Sequence, residues 1–418
     1  MTLALVVAEI GRRALAPRER PIEPADVDVR DYFSAAEIDR GARFARPQLA
    51  LGLARAAVEL AGLTLVAKRP PRLLRRHWAH PVAGAVVAGG TLALALSLPS
   101  LPLSAMARRR AIAAGLDTQS WRDWGGDLLK ASAIQAGFAA GAGGAALAAT
   151  RRYPSIWWAP AGAGSVGLGA VLTALSPVVL DPLFNDFTPL ENGQTRSDVL
   201  ALSRAAGVKV GEVYSVDASR RTTAANAYVT GLGPTKRVVL FDTLLDRYSR
   251  DEVRSVVAHE LAHVRYRDVP RGVLYAAIVA PAAALAVQQL SWELSPARGT
   301  PATLPVLALA ATIVGAPIGV IGNRLSRAIE RRADTYALEL AGAPAAFVSF
   351  ERAIAVQNLA DLEPRRWITR LLSTHPPTAE RIGVAVAWSR REPRRDQAEA
   401  SVGVGERGGA DYSSSSVL

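Results

Sequence analysis

The chain has 418 residues, half of them hydrophobic and only 21% charged, a composition that indicates membrane spans rather than one large soluble core. Its net charge of +12 suits an anionic membrane surface, since the basic residues cluster between apolar runs at 68–76 and 108–110, and the absence of aromatic-basic interleaving argues against a nucleic-acid partner. Cysteine is absent, which excludes disulfide bonds, thiolate nucleophiles and cysteine-based zinc sites.

Apolar stretches of about 20 residues predict a mostly α-helical, polytopic bundle. In the third stretch, Gly137, Gly141 and Gly144 have the spacing of a close helix-packing face. The first stretch contains Arg55 and Glu59, so a buried core helix is its main alternative. The apolar segment 1–8 is too short to cross and is the candidate for a degenerate further span. The six predicted spans are 47–67, 81–104, 131–150, 155–180, 272–290 and 301–322.

Between the fourth and fifth spans the pattern changes to that of a small α/β insert. Residues 195–206 read as an amphipathic helix, and 212–216 alternate like a strand. Two β-rich runs, 225–231 and 237–241, are joined by a hairpin-like turn at 232–235. Asn226 opens a candidate edge strand that could bind an extended peptide through its backbone, but an ordinary hairpin with Asn226 in a turn fits the pattern equally well.

The segment 251–268 is predicted to be helical and contains His259-Glu260-Leu261-Ala262-His263. Histidines at i and i+4 lie on one helix face and can bind a single metal ion, and the adjacent glutamate can reach a water on that metal. Only five histidines occur in the chain, which makes a chance match improbable. The motif predicts one zinc ion per chain, with Glu260 as general base. The alternative is a pair of structural histidines bonded to neighbours.

A third zinc ligand is expected from the helix predicted at 323–341, on the same side of the membrane because two spans separate it from the motif. Glu330 and Asp334 share a face of this helix. Glu330 is the candidate ligand, and Asp334 the candidate partner of a ligating histidine. A solvated helix with salt bridges to neighbouring arginines is the alternative.

Residues 373–382 combine a rigid Thr-His-Pro-Pro turn with the start of a helix. His375 and Arg381 could face a developing oxyanion, or they could belong to a capping turn with a surface arginine. Residues 390–418 are rich in Arg and Glu, then Gly and Ser, and are predicted to be a disordered tail.

Taken in order, these motifs resemble the integral-membrane zinc endopeptidases of the CAAX prenyl protease type I family. The resemblance implies a gluzincin-like catalytic region within the helical bundle, with Glu330 as third zinc ligand. It implies that Asp334 is the aspartate that orients a ligand or donates a proton, and that His375 and Arg381 lie near the scissile carbonyl. It also implies that Asn226 lies on the substrate-binding strand, and that the site faces a membrane chamber on the cytosolic side.

The predicted organisation has a membrane part interrupted by catalytic segments. It comprises an N-terminal segment 1–46, four spans in 47–180, the catalytic insert 181–271, two spans in 272–322, catalytic helices in 323–389 and the tail 390–418.

The predicted function is zinc-dependent hydrolysis of peptide bonds in membrane-associated proteins or peptides, by a multi-pass protein whose active site faces the cytoplasm. A quality-control protease for misfolded membrane proteins is the nearest alternative. A zinc hydrolase of another bond is disfavoured by the candidate edge strand. A non-catalytic scaffold or transporter is disfavoured by Glu260, because a scaffold needs no base beside two metal ligands.

Overall fold

A computed structural model describes residues 1–231, 236–295 and 298–405, with side chains to residue 391. The predicted turn 232–235 therefore lies outside the described residues. The helices are α1 (Thr2–Leu15), α2 (Ala35–Lys68), α3 (Arg72–Arg75), α4 (Pro81–Ser97), α5 (Leu101–Ala113), α6 (Trp121–Arg152), α7 (Trp158–Leu175), α8 (Gln194–Ala205), α9 (Asp242–Leu245), α10 (Arg250–Arg265), α11 (Asp268–Leu294), α12 (Leu304–Ala341), α13 (Pro344–Gln357), α14 (Arg366–Leu371) and α15 (Thr378–Gly405). The strands are β1 (Phe187–Pro189), β2 (Glu212–Val216), β3 (Ala227–Thr230) and β4 (Arg237–Phe241).

Five helical segments of the described chain are long and apolar enough to cross a membrane. They overlap five of the six predicted spans. The sixth predicted span, 131–150, lies in α6, whose 32 residues are long enough to cross a membrane. Its many alanines and glycines lower its mean hydropathy, so it is not among the five. The five segments are Ala35–Arg75, Pro81–Ala113, Trp158–Leu183, Asp268–Leu294 and Pro301–Ala341.

Helix α6 packs closely against α4 through glycines, and Gly144 is the one of the three predicted glycines that takes part. Gly137 and Gly141 have no heavy atom within 4 Å of the position of a Cβ. The contact is made instead at Gly143, where a Cβ would lie 2.9 Å from the carbonyl oxygen of Ala85 on α4. Gly144 does belong to this face, since its Cβ would lie 2.7 Å from the side chain of Val86. The spacing rule identified the right stretch of the helix but the wrong face at Gly137 and Gly141, because Gly89 and Gly90 of α4 contact Ala139 and Ala136 there instead.

Helix α1 lies alongside α11 and α12, with its small residues Ala4, Ala8 and Gly11 facing inward. Its 14 residues are about 21 Å long, less than the roughly 30 Å of a hydrocarbon core. The idea that segment 1–8 belongs to a seventh span stays a prediction.

The insert forms a four-stranded sheet in the order β1-β2-β4-β3 among the described residues. The β2–β4 pair is parallel, and the β1–β2 and β3–β4 pairs are antiparallel. β3 therefore lies at the edge, which confirms the position predicted for it. Val213, Val238 and Leu240 pack with residues of α8 and α10 in one buried cluster. The sheet thus fixes the helix that contains the His-Glu-x-x-His motif.

Two ends of the bundle can be distinguished by contacts between loops. At one end Arg151, in the last turn of α6, donates to the carbonyl of Gly299, 3.0 Å away, and so joins the end of α6 to the α11–α12 loop. At the other end Thr118 donates to the carbonyl of Arg221, joining the α5–α6 loop to the insert. Since α11 and α12 cross in opposite directions, the C-terminal half of α12 returns to the end that carries the insert.

Helix α15 extends further than the sequence predicts. Residues 390–405, assigned to the disordered tail, continue this helix to Gly405, and residues 406–418 lie outside the described residues. The run 388–399 has no glycine and few helix-breaking residues apart from Pro393, so local propensity is compatible with helix although composition suggests disorder.

Candidate metal centre

His259 and His263 on α10 meet Glu330 on α12, and one ligand atom of each lies within 4.8 Å of the other two. The two imidazole Nε2 atoms are 3.3 Å apart. Glu330 Oε2 is 3.2 Å from His259 Nε2, and Glu330 Oε1 is 3.8 Å from His263 Nε2. The structure therefore brings together the three residues that the sequence proposes as zinc ligands.

These side chains converge because the helices α10 and α12 are each held in place by packing on the side away from the centre. Helix α10 begins with a capping box, in which Ser249 and Glu252 bond each other's backbone N–H groups. Its buried face, including Val257 and Leu261, packs into the core with the sheet. Helix α12 arrives from the membrane and is buried at Glu330, opposite the histidines.

The ligand atoms fit a small divalent cation. Glu330 Oε2 is buried, and its polar neighbours among the described residues are two imidazole nitrogens, His259 Nε2 at 3.2 Å and His375 Nε2 at 3.5 Å. In a tetrahedral zinc site two ligand atoms lie about 3.4 Å apart, close to the shorter separations seen here, and two histidines with one glutamate are an established catalytic set. Burial lowers the pKa of His259, but the Asp334 and Glu330 carboxylates outweigh burial and raise it to about 10. The centre therefore attracts a positive charge, which a metal ion can supply.

Both imidazoles have a carboxylate behind them. His259 Nδ1 lies 2.9 Å from Asp334 Oδ1, and His263 Nδ1 lies 3.1 Å from Asp268 Oδ2. A hydrogen bond from Nδ1–H to a carboxylate fixes the tautomer and leaves Nε2 free to bind metal. Asp334 thus occupies the position predicted for it.

Asp268 was missed in the sequence analysis. It is the first residue of α11, five positions after His263. Arg267 adopts a left-handed conformation with φ of 55°, which breaks the helix and turns Asp268 back toward His263. Arg332, 2% exposed, donates to Asp268 with an N–O distance of 2.6 Å and stacks over the ring of Tyr266. An acidic residue five positions past the motif is the signal that could have found it.

Arg381 lies beside the centre, but its guanidinium faces protein carboxylates. Its Nε donates to Asp334 at 3.0 Å, and one terminal nitrogen donates to the same carboxylate at 2.6 Å. That nitrogen is also 3.4 Å from His259 Nδ1. The other terminal nitrogen is 2.7 Å from Glu351 Oε1. Sequence reasoning placed Arg381 near the centre but did not find Glu351.

His375 and Glu260 occupy the more open side. The side chain of His375 is 61% exposed, and its Nε2 is 3.5 Å from Glu330 Oε2. The Thr374 hydroxyl lies 2.9 Å from His375 Nδ1. Glu260 is half-buried, and its side chain forms no hydrogen bond or ion pair within the described chain. Burial raises the pKa of Glu260, against the opposing effect of His259 and His263. A carboxylate free of protein partners beside a metal site is suited to accept a proton.

Asn226 is exposed immediately before β3. Its side-chain oxygen accepts from the Ala227 N–H at 3.0 Å, and its carbonyl accepts from Phe241 N–H at 3.1 Å. The Phe241 bond lies on the side of β3 that faces β4, whereas the Ala227 N–H points the opposite way because the peptide bond is trans, so the Asn226 side chain bonds it at the free edge. The outer edge of the strand remains without a neighbouring strand in the described sheet.

Comparison with known proteins supports a metalloprotease architecture. Residues 189–389 match peptidase family M48. The chain is 32% identical over 241 residues to an uncharacterized metalloprotease, YhfN of Bacillus subtilis, covering 56% of this chain and 57% of that protein. It is 30% identical over 226 residues to a CAAX prenyl protease 1 homolog of Oryza sativa, covering 51% and 52%. The chain thus spans little more than half the length of these curated relatives.

The whole fold has a counterpart among solved structures. The crystal structure of S. mikatae Ste24p superposes with a TM-score of 0.75, covering 92% of this chain and 95% of that one, at 20% sequence identity. This match extends the likeness beyond the M48 region to the membrane helices. The chain is therefore a multi-pass membrane protein with the fold of that structure, and its residues 189–389 match peptidase family M48.

Proposed function

We propose that this protein is a membrane-embedded zinc endopeptidase that cleaves peptide bonds of membrane-associated proteins or peptides. The observation that carries the proposal is the cluster of His259, His263 and Glu330, with a carboxylate behind each imidazole. A purely structural pair of histidines, each already bonded to a carboxylate through Nδ1, would not need a third buried carboxylate that faces both Nε2 atoms.

A bound Zn²⁺ would polarise the scissile carbonyl and lower the pKa of a water to about 7. Glu260 accepts the proton of the attacking water and passes it to the leaving amine. The Thr374 hydroxyl lies 2.9 Å from His375 Nδ1, and when it donates to that atom the neutral ring carries its proton on Nε2, the atom that faces the centre. His375 then donates to the developing oxyanion. Asp334 and Asp268 keep both ligating rings in the tautomer that presents Nε2.

The substrate binds as an extended segment along the free edge of β3, beginning at Asn226. Backbone hydrogen bonds to an edge strand are independent of side-chain identity and orient a peptide along one direction. β3 packs on the same helix that carries His259 and His263, so a peptide on this edge runs past the centre. This arrangement favours a peptide bond over other hydrolysable bonds.

The proposed substrates are proteins or peptides associated with the membrane, and the centre faces the cytoplasm with one zinc ion per chain. Helices α11 and α12 carry metal-centre residues at one end and apolar, span-length segments in the rest. A substrate attached to or leaving the bilayer therefore needs no transfer across the membrane to reach the centre. Relatives that bear the name CAAX prenyl protease support lipidated tails as one class of substrate.

Three variants test the proposal: Glu260→Gln, Glu330→Ala and, as a control, Glu339→Ala, an exposed glutamate on the same helix as Glu330. We expect Glu260→Gln to retain about one zinc per chain and lose at least about 10²-fold in cleavage rate. Glu330→Ala should lose zinc, and Glu339→Ala should change neither property.

Zinc is measured by mass spectrometry of the purified protein. Cleavage is measured as new peptide termini in membrane fractions of cells that express each variant. Equal termini with wild type and Glu260→Gln, or full zinc occupancy in Glu330→Ala, would contradict the assigned roles.

A further inference from the structure

Glu351 is a buried acid with no place in the proposed chemistry. It lies on α13 and is 2% exposed. Its Oε1 atom is 2.7 Å from the Arg381 nitrogen that does not contact Asp334. Removing a carboxylate from water is costly unless a charged partner compensates, and Arg381 supplies that charge. Glu351 therefore forms a buried ion pair with a residue, Arg381, that itself contacts the metal centre through Asp334. A surface salt bridge that only improves solubility would not need this burial.

Arg381 joins two carboxylates that belong to different helices. Its Nε and one terminal nitrogen bind Asp334 on α12, and its other terminal nitrogen meets Glu351 on α13. The guanidinium is planar and rigid, so fixing both ends also fixes its tilt. Contacts on all three nitrogens engage at least three of the five guanidinium N–H groups and direct the plane of Arg381 toward the two carboxylates.

The chain of contacts continues to the metal ligand. Asp334 Oδ1 receives the Arg381 bond of 2.6 Å and also lies 2.9 Å from His259 Nδ1. A rotation of the guanidinium would move this carboxylate, and the His259 ring would follow. The direction of His259 Nε2 toward the metal therefore depends on how Arg381 is held.

We propose that Glu351 is a positioning residue of the metal centre, which holds Arg381 so that Asp334 fixes the orientation of His259. Arg381 then also positions His259 through Asp334, and the exposed His375 is the side chain assigned to the oxyanion. The expected effect of Glu351 on the cleavage rate rests on the proposed function. Its expected effect on zinc binding does not depend on any substrate.

The test uses Glu351→Gln and Glu351→Leu in the full-length protein, with Glu351→Asp as the conservative variant. Asp198→Asn is the matched control, because Asp198 is also buried and paired with arginine, Arg250, at the far end of α10. Zinc affinity is measured by chelator competition on metal-stripped protein, together with melting temperature. Once a cleaved peptide is known, kcat and KM are measured separately.

We expect Glu351→Leu to weaken zinc binding about tenfold and Glu351→Gln somewhat less, since partners of ligating residues typically contribute 10- to 100-fold and Glu351 acts one contact further out. The loss should appear in kcat with KM within about twofold, and Glu351→Asp should recover most of it.

Zinc affinity within twofold of wild type in both Glu351→Leu and Glu351→Gln would overturn the proposal. It would equally be overturned if Asp198→Asn, at a similar loss of melting temperature, weakened zinc binding as much. Absence of peptidase activity in the wild type would instead contradict the proposed function and leave the zinc measurement to decide the role of Glu351.

Discussion

At the scale of single residues, each ligating imidazole has two nitrogens with different tasks. Nε2 of His259 faces Glu330 and His263, while Nδ1 faces Asp334. Two carboxylates around one imidazole favour its protonated form when no metal is bound, and they favour a metal cation over that proton when one is available. The same carboxylates therefore link metal binding to proton release.

We expect zinc binding at pH 7.5 to release about one proton from His259. The surrounding carboxylates raise the pKa of His259 from 6.5 to about 10, so the metal-free ring is protonated below that pH and zinc must displace the proton. Zinc affinity should consequently rise with pH, by up to about tenfold per unit, until pH approaches 10.

Titration calorimetry in two buffers of different ionisation enthalpy measures the released protons directly. Asp334→Asn is the comparison variant, because loss of this carboxylate lowers the His259 pKa and should reduce the number of protons released. Zinc binding without proton release at pH 7.5 in the wild type would contradict the expected protonation state.

At the scale of elements, periodicity predicts what one helix face can do, but not which faces meet. The i, i+4 spacing of His259 and His263 was enough to predict a shared metal, and the structure confirms that they come together with Glu330. Asp268 was not predicted, because its approach to His263 depends on the left-handed turn at Arg267. Glu351 was not predicted, because its partner lies 30 residues later in the chain (381 − 351 = 30) on a different helix.

The α4–α6 contact gives a prediction at this scale. Gly143→Leu should destabilise the bundle by at least about 1–3 kcal/mol, because a Cβ there would lie 2.9 Å from the Ala85 carbonyl oxygen and 3.3 Å from Leu304. Gly137→Leu, on the same helix, should be tolerated, since no heavy atom lies within 4 Å of its Cβ position.

Thermal unfolding of the detergent-solubilised protein compares the two variants, with zinc content as a second readout. A melting temperature for Gly143→Leu equal to that of Gly137→Leu would show that α6 does not pack closely against α4 at Gly143. Zinc content should be equal in the two variants while they remain folded, because neither glycine lies near the centre.

At the scale of the whole molecule, the decisive property is that an even number of crossings separates the two halves of the metal centre. Composition and apolar length were sufficient to predict a polytopic bundle, and span counting was sufficient to place Glu330 on the side of His259. Charge could not give the orientation, because arginines occur at both ends: Arg108 to Arg110 at one, and Arg72, Arg75, Arg151 and Arg152 at the other. Which end of the bundle faces the cytoplasm therefore has to be measured directly.

The orientation can be measured by labelling single introduced cysteines, because the native chain has no cysteine and each introduced thiol is then the only one that reacts. We expect Asp251→Cys, at the start of α10, and Arg366→Cys, after α12, to react from the same side of the membrane. Arg152→Cys, at the end of α6, and Arg298→Cys, in the α11–α12 loop, should react from the opposite side, where the Arg151–Gly299 hydrogen bond joins the two segments. All four native residues are exposed, so reactivity depends on the side of the membrane rather than on burial.

A membrane-impermeant maleimide applied to intact cells, and again after permeabilisation, separates the two pairs. If the centre faces the cytoplasm, Asp251→Cys and Arg366→Cys react only after permeabilisation, whereas the other two react in intact cells. The opposite pattern would reverse the proposed orientation but preserve the metal centre. Labelling of Asp251→Cys and Arg366→Cys from different sides would contradict the centre itself, because His259 and Glu330 could then not share one metal ion.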